Sequence, residues 1–194
     1  MLKNHDRSKY WGASETSKIL GNWDTKTFME LYLVKLGVIE NNFTNTYLLA
    51  GNAYERKIAN SLGLQMKFDR CIKIPKLRLR VNLDAETKDC IYEIKTHKDC
   101  DKEWKVPTAY WQQCQVQMFA TGKHKCKLVA YPMTDANYEN FFLDVDKSKI
   151  EVFNIEYDEQ WIKKEYLPRL VYLAECLKKR KTPNMKEFKE KYYV

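Results

Sequence analysis

The chain has 194 residues, of which 44% are hydrophobic and 31% are charged, and it contains only 6 Gly and 5 Pro. This composition excludes disordered, collagen-like and low-complexity proteins, and the length is typical of one globular domain. Lys and Arg number 34 against 26 Asp and Glu, a net charge of +8, which suits a polyanionic partner without identifying it.

The N-terminal third of the sequence predicts three helices. Ser14 is placed to cap a first helix through Leu20. The second begins at 24 or 25 and continues to 36, and the third covers 46–62. Gly37 and Gly63 follow directly, and glycine commonly ends a helix.

From residue 65 the hydrophobic period shortens to about two, which is typical of strands. The segments 65–74, 77–83 and 91–95 are separated by turn residues at 75–76 and 87–89, so an antiparallel meander is predicted. A helix is then expected between Pro107 and Gly122, because proline favours the first helical turn and glycine the position after the last.

The remaining sequence predicts further strands and a final helix. Apolar runs at 126–131, 141–145 and 152–155 are the strand candidates. The helix begins at Asp158 and ends in the basic run 178–181, which complements the negative end of its dipole. This order indicates the α/β (α+β) class, with a mixed central sheet flanked by helices.

Two absences in the sequence bear on the location of the protein. No apolar run resembles a signal peptide or approaches the ~18 residues of a membrane helix, so we expect a soluble intracellular protein. The 6 cysteines are spread singly, without a C-x-x-C pair. Free thiols in a reducing compartment are the simplest interpretation.

The most informative segment is Asp84, followed after eight residues by Glu93-Ile94-Lys95. On a strand, Glu93 and Lys95 project to the same face. If the strands around the 87–89 turn pair, Asp84 comes within reach of Glu93, and two such carboxylates favour a magnesium or manganese ion between them. Lys95 could then orient a water molecule and screen charge on a phosphate. The alternative is an ordinary solvated charged face.

A second candidate is Glu55, which lies in the third predicted helix. Gly51 lies one turn before it and Ala59 one turn after it, and such small neighbours leave the carboxylate accessible. The alternative interpretation is close packing of this helix against another element, since glycine marks close approach.

A third candidate is Gln115, in the middle of an apolar helical stripe over 111–119 and between Gln112 and Gln117. A buried amide must find partners. Gln115 either positions the attacking water or a phosphate, or it is satisfied by backbone groups. The stripe favours Gln115 over its neighbours as the amide that faces a site.

The fourth candidate is the pair Arg7 and Ser14. Arg7 offers a bidentate fork for phosphate, and Ser14 at a helix start adds a hydroxyl and free backbone N–H groups to an anion site. The alternative role for Ser14 is simply that of a helix cap.

These segments together resemble the bacteriophage lambda-type exonucleases, the YqaJ-like viral recombinase family of the PD-(D/E)XK nuclease superfamily. The resemblance runs from about Arg7 to Thr121. Four blocks agree in order and spacing: R-x6-S (Arg7, Ser14), G-x3-E (Gly51, Glu55), D-x8-E-x-K (Asp84, Glu93, Lys95) and Q-x-Q (Gln113, Gln115). The proline that usually precedes the Asp is Leu83 here.

The resemblance implies a role for each matched residue. Asp84 and Glu93 would be the main metal ligands, with the Ile94 carbonyl contributing. Glu55 would serve a metal or its water shell, and Lys95 would act on the nucleophilic water. The remaining matched residues would bind substrate groups: Gln115 a water or phosphate, and Arg7 and Ser14 the 5′-terminal phosphate.

The resemblance also implies a fold and an activity. The chain would be a single PD-(D/E)XK nuclease domain over 1–194 with a restriction-endonuclease-like core. Residues 1–64 would form a helical N-terminal region, residues 65–133 the catalytic core, and residues 134–194 a region with strands and a C-terminal helix. The domain would degrade linear double-stranded DNA 5′→3′ from 5′-phosphorylated ends with Mg²⁺, for which Mn²⁺ substitutes. The alternatives are a restriction- or repair-type endonuclease and a non-catalytic DNA-binding or inhibitory protein.

Family members often form rings around DNA, so a ring-shaped homotrimer is expected, in the cytoplasm of a bacterial host. The partners implied are double-stranded DNA ends and a single-strand annealing protein. Some relatives hold an iron–sulfur cluster with four cysteines. The cysteines here lack such a grouping, so no cluster is expected.

Two further groups of residues could contact a ligand. His97 and Cys100, with Asp99 and Asp101, lack the second ligand pair of a typical zinc site, so zinc is not expected. Basic residues beside the predicted catalytic hairpin are better placed to contact the DNA backbone. They are Lys73, Lys76, Arg78 and Arg80.

Overall fold

The computed structural model describes residues 8–40, 45–100 and 103–192, so Arg7 and Asp101 lie outside the described residues. The described ranges contain a mixed sheet. Its strands are β1 (Trp11–Gly12), β2 (Lys67–Ile74), β3 (Leu79–Glu86), β4 (Ile91–Lys98), β5 (Lys125–Met133) and β6 (Glu151–Glu156).

Helices pack on this sheet. They are α1 (Thr16–Leu20), α2 (Lys26–Leu36), α3 (Thr46–Ser61), α4 (Thr108–Thr121), α5 (Asp135–Glu139), α6 (Glu159–Trp161), α7 (Leu167–Lys179) and α8 (Met185–Tyr192). The prediction of a mixed central sheet flanked by helices is therefore confirmed. None of the helices in the described ranges is long and apolar enough to cross a bilayer.

The strands combine an antiparallel meander with a parallel crossover. β2, β3 and β4 pair antiparallel as predicted. β4 and β5 pair parallel, and α4 provides the long crossover that parallel neighbours require. The edge strand β6 pairs antiparallel with β5.

The sheet has a gap beside β3. One edge of β3 pairs with β2 along its length. The other edge pairs with β1 at Leu79 and Arg80 and with β4 at Ala85 and Glu86, and no strand in the described ranges pairs with the stretch between. Because side chains alternate along a strand, the odd-numbered residues of β3 enter the core. Its even-numbered residues 80, 82 and 84 face a cavity at this gap.

The helix α3 approaches β4 closely at Gly51. A Cβ atom at this position would lie 3.2 Å from the Thr96 Oγ1, tighter than an ordinary van der Waals contact. The absence of a side chain at Gly51 therefore favours the close approach, which was one of the two interpretations of the G-x3-E pattern. This approach carries Glu55, one turn later, toward the face of β4.

The helix boundaries follow the predicted capping residues in most places. Thr25, rather than Asp24, caps α2, and its Oγ1 accepts a hydrogen bond from the Phe28 N–H at 3.2 Å. Gly37, Gly63 and Gly122 have φ values of 70°, 66° and 71°, the left-handed conformation that ends a helix.

Two predicted elements differ in the structure. The strand expected over 141–145 is absent, and an irregular segment follows α5. The Nζ of Lys57 donates to the carbonyl oxygens of Phe141 and Leu143 at 2.8 Å and 3.1 Å, so a side chain bonds backbone groups that a strand would have paired. The segment 134–194 therefore holds one strand, β6, besides its helices, within the residues that the structure describes.

The predicted final helix is interrupted and is followed by another. Asp158 caps it as expected, accepting from the Trp161 N–H at 2.8 Å. A π-helical turn spans Ile162–Tyr166 before α7. Pro168, in the first turn of α7, has no N–H group to donate back to this turn, which favours a departure from regular α-helical bonding. The additional helix α8 was not predicted, and it buries Phe188 against Trp23, with ring centroids 5.1 Å apart.

Replacing Glu86 with glutamine is expected to destabilise the fold by about 1–3 kcal/mol at neutral pH. Glu86 is 3% exposed and bonds Arg70 at 3.0 Å and Lys123. Burial alone would raise the pKa of Glu86, but these two cations lower it. The ionised Glu86 therefore stabilises the fold fully at pH values above the pKa of a glutamate in the unfolded chain, about 4.3. This stabilisation is lost as the pH falls through the pKa of Glu86 in the folded protein, which is lower.

Urea unfolding at pH 7 and at about pH 3 would measure this difference. The gap between wild type and Glu86→Gln should shrink at the lower pH. Glu151→Gln, on the exposed edge strand β6, is the control and should stay within about 0.5 kcal/mol of wild type. A gap of equal size at both pH values would contradict the electrostatic explanation.

Candidate active site

Asp84 lies where β3 and β4 separate. The pairing of these strands stops at Ala85 and Tyr92, and beyond it the Asp84 Oδ2 accepts a hydrogen bond from the Ile94 N–H at 2.8 Å. The N–H and C=O of one strand residue point to the same side, so the Ile94 carbonyl also points toward β3. The Ile94 carbonyl therefore points to the same side as the N–H group that Asp84 binds.

Glu93 is 1% exposed and is held by three side chains. Its Oε1 accepts from the Lys95 Nζ at 2.6 Å and from the Gln113 Nε2 at 2.5 Å, and its Oε2 accepts from the Gln117 Nε2. A buried carboxylate needs such partners to offset its desolvation. The alternative of a solvated charged face is therefore wrong for Glu93 and Lys95.

The carboxylates of the site repel one another. Burial and the nearby charges of Glu93 and Glu55 raise the pKa of Asp84 well above its ordinary value. Burial and the charge of Glu93 likewise raise the pKa of Glu55. Burial would lower the pKa of Lys95, but Glu93 and Asp84 outweigh it and raise that pKa. Lys95 is therefore a cation in the midst of acids.

These residues fit a divalent cation of the magnesium type. In the described ranges, no three Asp, Glu, His or Cys side chains converge as a ready-made metal cage. Magnesium does not need one, because it is usually held by one or two carboxylates and keeps water or substrate oxygens as its other ligands. Asp84 and Glu93 are two crowded hard-oxygen donors whose repulsion such a cation would relieve.

A cavity of about 250 Å³ opens at this point. Acidic and basic side chains both line it. The acids are Glu15, Asp84 and Glu93, and the bases are Lys35, Arg80 and Lys95. A larger and more open depression of about 720 Å³ lies beside β6 and contains none of the predicted site residues. The chemistry therefore points to the smaller cavity.

Ser14 lines this cavity, but it does not cap α1. The chain forms a 3₁₀ turn at Ala13–Glu15, and α1 begins only after it. Glu15 holds the turn, because its Oε2 accepts from the Gly12 N–H at 2.8 Å and its Oε1 lies 2.7 Å from the Lys35 Nζ. The exposed Ser14 hydroxyl is thereby brought to the wall of the cavity.

The prediction that Gln115 faces the site is wrong. Its Nε2 donates to the Glu156 carbonyl at 2.8 Å, and its Oε1 accepts from the Asp158 N–H at 2.7 Å. Residues two apart on a helix point to nearly opposite sides, whereas residues four apart share a face. Gln113 and Gln117 therefore face Glu93, and Gln115 faces the opposite way.

Other cavity residues were not recognised from the sequence as members of the site. Glu15, Lys35 and Asn82 line the cavity beside the predicted acids. The alternation of residues 80, 82 and 84 along β3 could have indicated Asn82. Lys35 gave no such signal, because it is a buried lysine of α2, 2% exposed, and only the fold brings it to Glu15.

The region considered for zinc has a structural role among its described residues. His97 stacks on Trp104 with ring centroids 5.1 Å apart. Cys100 is exposed, and Asp99 lies 3.3 Å from the Lys149 Nζ.

Comparisons with known proteins identify the family and the fold of the chain. A family model described as the YqaJ-like viral recombinase domain matches residues 4–124. A search of the curated proteins finds no match.

Solved structures of exonucleases are similar over nearly the whole chain. An alkaline exonuclease from Laribacter hongkongensis is 18% identical with a TM-score of 0.68, covering 95% of this chain and 94% of that chain. Its complex with dAMP gives 19% identity and the same TM-score of 0.68, again over 95% and 94%. A phage-related exonuclease from Haemophilus somnus 129PT is 16% identical with a TM-score of 0.61, over 88% of this chain and 94% of that chain. Likeness at these identities shows the fold, so the predicted nuclease fold is confirmed.

Proposed function

The chain belongs to the YqaJ-like viral recombinase domain family, and on that premise we propose that it is a divalent-metal-dependent 5′→3′ exonuclease acting on linear double-stranded DNA. The observation that carries the proposal is the arrangement of the buried Glu93 with the half-buried Asp84 and Lys95 at one cavity. A core that only needed to fold would not withdraw two interacting carboxylates from water at one cavity, since each costs desolvation energy.

Each residue of the site has a chemical task in this proposal. Asp84 and Glu93, with the Ile94 carbonyl, would hold Mg²⁺ or Mn²⁺, and Glu55 would bind the water shell. When bound, the metal supplies Lewis acidity and a more acidic water. Lys95 orients the attacking water and screens the charge that builds on the phosphate.

The shape of the cavity supports action at a DNA end. The turn at Ala13–Glu15 and the strand β4 form its walls, and a volume of about 250 Å³ suits a terminal nucleotide better than a duplex passing through. In this proposal, Ser14 and, by family resemblance, Arg7 hold the 5′-terminal phosphate. Lys73 and Lys76, both exposed, contact the flanking backbone.

The family resemblance supports further proposals about assembly and context. A ring-shaped homotrimer would enclose the duplex and keep the enzyme on it. A single-strand annealing protein would receive the 3′ overhang that 5′→3′ digestion leaves. Both would operate in the cytoplasm of a bacterial host during phage-type recombination.

Three DNA substrates test the proposal: linear duplex with 5′-phosphate ends, linear duplex with 5′-hydroxyl ends, and closed circular duplex, each with and without Mg²⁺. The expected result is release of mononucleotides from the phosphorylated linear duplex only when Mg²⁺ is present. Cutting of the circle would instead indicate an endonuclease. DNA binding without cleavage under any divalent metal would indicate a non-catalytic DNA-binding protein.

The glutamines of α4 are expected to separate into two classes. Gln113→Ala and Gln117→Ala should each lower the cleavage rate about tenfold or more, because Glu93 loses a hydrogen bond that positions it. Gln115→Ala should cost about 1 kcal/mol of stability, because two partly buried backbone groups lose their partner, while the folded fraction keeps its activity.

Cleavage rates and thermal unfolding of all three variants, measured side by side, check this prediction. Gln112→Ala, on the same helix, is the control. A catalytic loss confined to Gln115→Ala would show that the orientation of α4 is different during the reaction.

A further inference from the structure

The ammonium group of Lys95 has a second neighbour besides Glu93. The Glu93 Oε1 lies 2.6 Å from the Lys95 Nζ, and the same Nζ lies 5.0 Å from the centre of the Tyr110 ring. A cation within about 6 Å of an aromatic ring is attracted by the negative face of that ring. An ammonium group has three N–H donors, so its ion pair with one oxygen atom does not by itself fix the direction of the other two.

The first turn of α4 places Tyr110 beside the ion pair. Its N–H group donates to the Pro107 carbonyl at 2.9 Å, so residue 110 already belongs to the helical turn. Residues three and seven positions apart share one face of a helix, and the amides of Gln113 and Gln117 bond Glu93. The same face of α4 therefore holds the carboxylate with two amides and approaches the ammonium with an aromatic ring.

A stack of aromatic side chains supports the Tyr110 ring. Tyr110 stacks on Trp104 with ring centroids 6.4 Å apart, and Trp104 stacks on His97 with ring centroids 5.1 Å apart. The His97 Nδ1 lies 3.0 Å from the Lys98 carbonyl oxygen. His97 follows Lys95 by two residues on β4, so their side chains project from the same face of the strand. The stack thus begins on β4 at His97 and returns to β4 at the ammonium of Lys95.

A further strand holds the middle of this stack. The Trp104 ring contacts Phe153 of β6, with ring centroids 5.3 Å apart. Trp104, Tyr110 and Phe153 are all partly buried and pack against the main hydrophobic core. A ring that contacts neighbours from two strands has little freedom to rotate, because such packing is dense. The orientation of Tyr110 is therefore set by contacts that do not involve substrate.

We propose that Tyr110 is a positioning residue that holds the Lys95 ammonium with the face of its ring, and that Trp104 and His97 support this ring. Glu93 and Tyr110 then fix the ammonium between them and leave an N–H donor for a water molecule or a phosphate oxygen in the cavity. This inference rests on the proposed nuclease function, in which Lys95 acts at the reacting phosphate. Fixing a donor before the reaction is what makes it effective on transition-state charge.

Fluorinated rings test the electrostatic part of this contact. Phenylalanines with an increasing number of fluorine atoms keep nearly the same shape at position 110, while the negative charge on the ring face declines. We expect Tyr110→Phe to keep kcat close to wild type, the fluorinated series to lower kcat stepwise, and Tyr110→Leu to lower it about tenfold. KM for 5′-phosphorylated duplex should change little. Equal kcat values throughout the series would overturn the proposal, and this series remains informative if Tyr110→Leu does not fold.

The same fluorinated residues at position 153 are the matched control. Phe153 contacts the stack at Trp104, one ring away from Tyr110, so kcat should stay constant through that series. A decline as steep as at position 110 would attribute the effect to packing and overturn the proposal. A rise in KM without a change in kcat for the position 110 variants would also overturn it, because Tyr110 would then act by contacting the DNA.

A measurement that needs no cleavage separates this inference from the proposed function. Acetic anhydride acetylates accessible lysine amines, and mass spectrometry gives the rate at Lys95 in the metal-free protein. The rate should be unchanged in Tyr110→Phe and about tenfold higher in Tyr110→Leu, because the ring no longer holds and covers the amine. Lys105, which is exposed, is the internal reference and should react equally in all three proteins. This result would support the inference even without nuclease activity, whereas equal acetylation of Lys95 in wild type and a folded Tyr110→Leu variant would overturn it.

Discussion

Replacing Lys95 with alanine is expected to lower the rate of DNA cleavage about 10²- to 10⁴-fold, the range for losing a group that acts on the nucleophile and on transition-state charge. The reason lies in its surroundings. Its Nζ lies 2.6 Å from the Glu93 Oε1, and Glu93 and Asp84 raise the pKa of Lys95 against the effect of burial. The group is therefore an ammonium fixed beside the site where the phosphate would react.

The measurement is the initial rate of mononucleotide release from 5′-phosphorylated duplex with saturating Mg²⁺. Lys95→Met serves as a second variant, because it fills the space of the lysine chain without its charge. Thermal unfolding verifies that both variants fold, since Gln113 and Gln117 still bond Glu93. Activity within tenfold of wild type in either variant would rule out a direct role for Lys95.

Replacing Asp84 with asparagine is expected to abolish cleavage to a similar extent while raising stability in the absence of metal. Burial and the charges of Glu93 and Glu55 raise the pKa of Asp84, so its ionised form destabilises the metal-free protein at pH 7. The amide removes that charge, and its oxygen can still accept the Ile94 N–H. For a protein of this size, each kcal/mol regained raises Tm by about 2–4 °C.

Thermal unfolding with and without Mg²⁺ distinguishes this effect from a purely structural one. Wild-type Tm should rise when Mg²⁺ is added, because a cation that binds only the folded state stabilises it. The Asp84→Asn variant should begin higher and respond little. Glu151→Gln, which removes an exposed carboxylate of the edge strand β6, should respond as wild type does. A lower Tm for Asp84→Asn in both conditions would mean that the carboxylate acts only as a backbone partner.

The sequence by itself determined the local structure and the identity of the acids. Hydrophobic periodicity and capping residues located α2, α3 and α4 to within a residue or two, because a helix boundary depends on groups that are neighbours in the chain. The D-x8-E-x-K spacing brought Asp84, Glu93 and Lys95 together for the same reason, since a hairpin pairs residues on either side of one turn.

The tertiary structure decided which side of each element faces the site. The apolar stripe of α4 identified a buried face, but a helix between two layers is buried on more than one side. Only the packing of α4 on the sheet shows that Gln113 and Gln117 bond Glu93, while Gln115 bonds backbone groups at the end of β6 and just after it. The expectation for Gln115 was wrong for this reason.

The cavity itself depends on pairing between distant segments. β1 pairs with β3 through Gly12 and Arg80, residues far apart in the sequence. A gap remains on this edge of β3 between its pairing with β1 and its pairing with β4. Side chains of β3 line the cavity at this gap: Arg80, Asn82 and Asp84. Alternation along β3 predicts that these side chains share a face, but not whether that face meets solvent, the core or a cavity. The sequence thus determined which chemical groups are available to this protein. Only long-range strand pairing decided which basic residues line the cavity, because the burial of a strand face depends on the elements that cover it and not on the residues that form it.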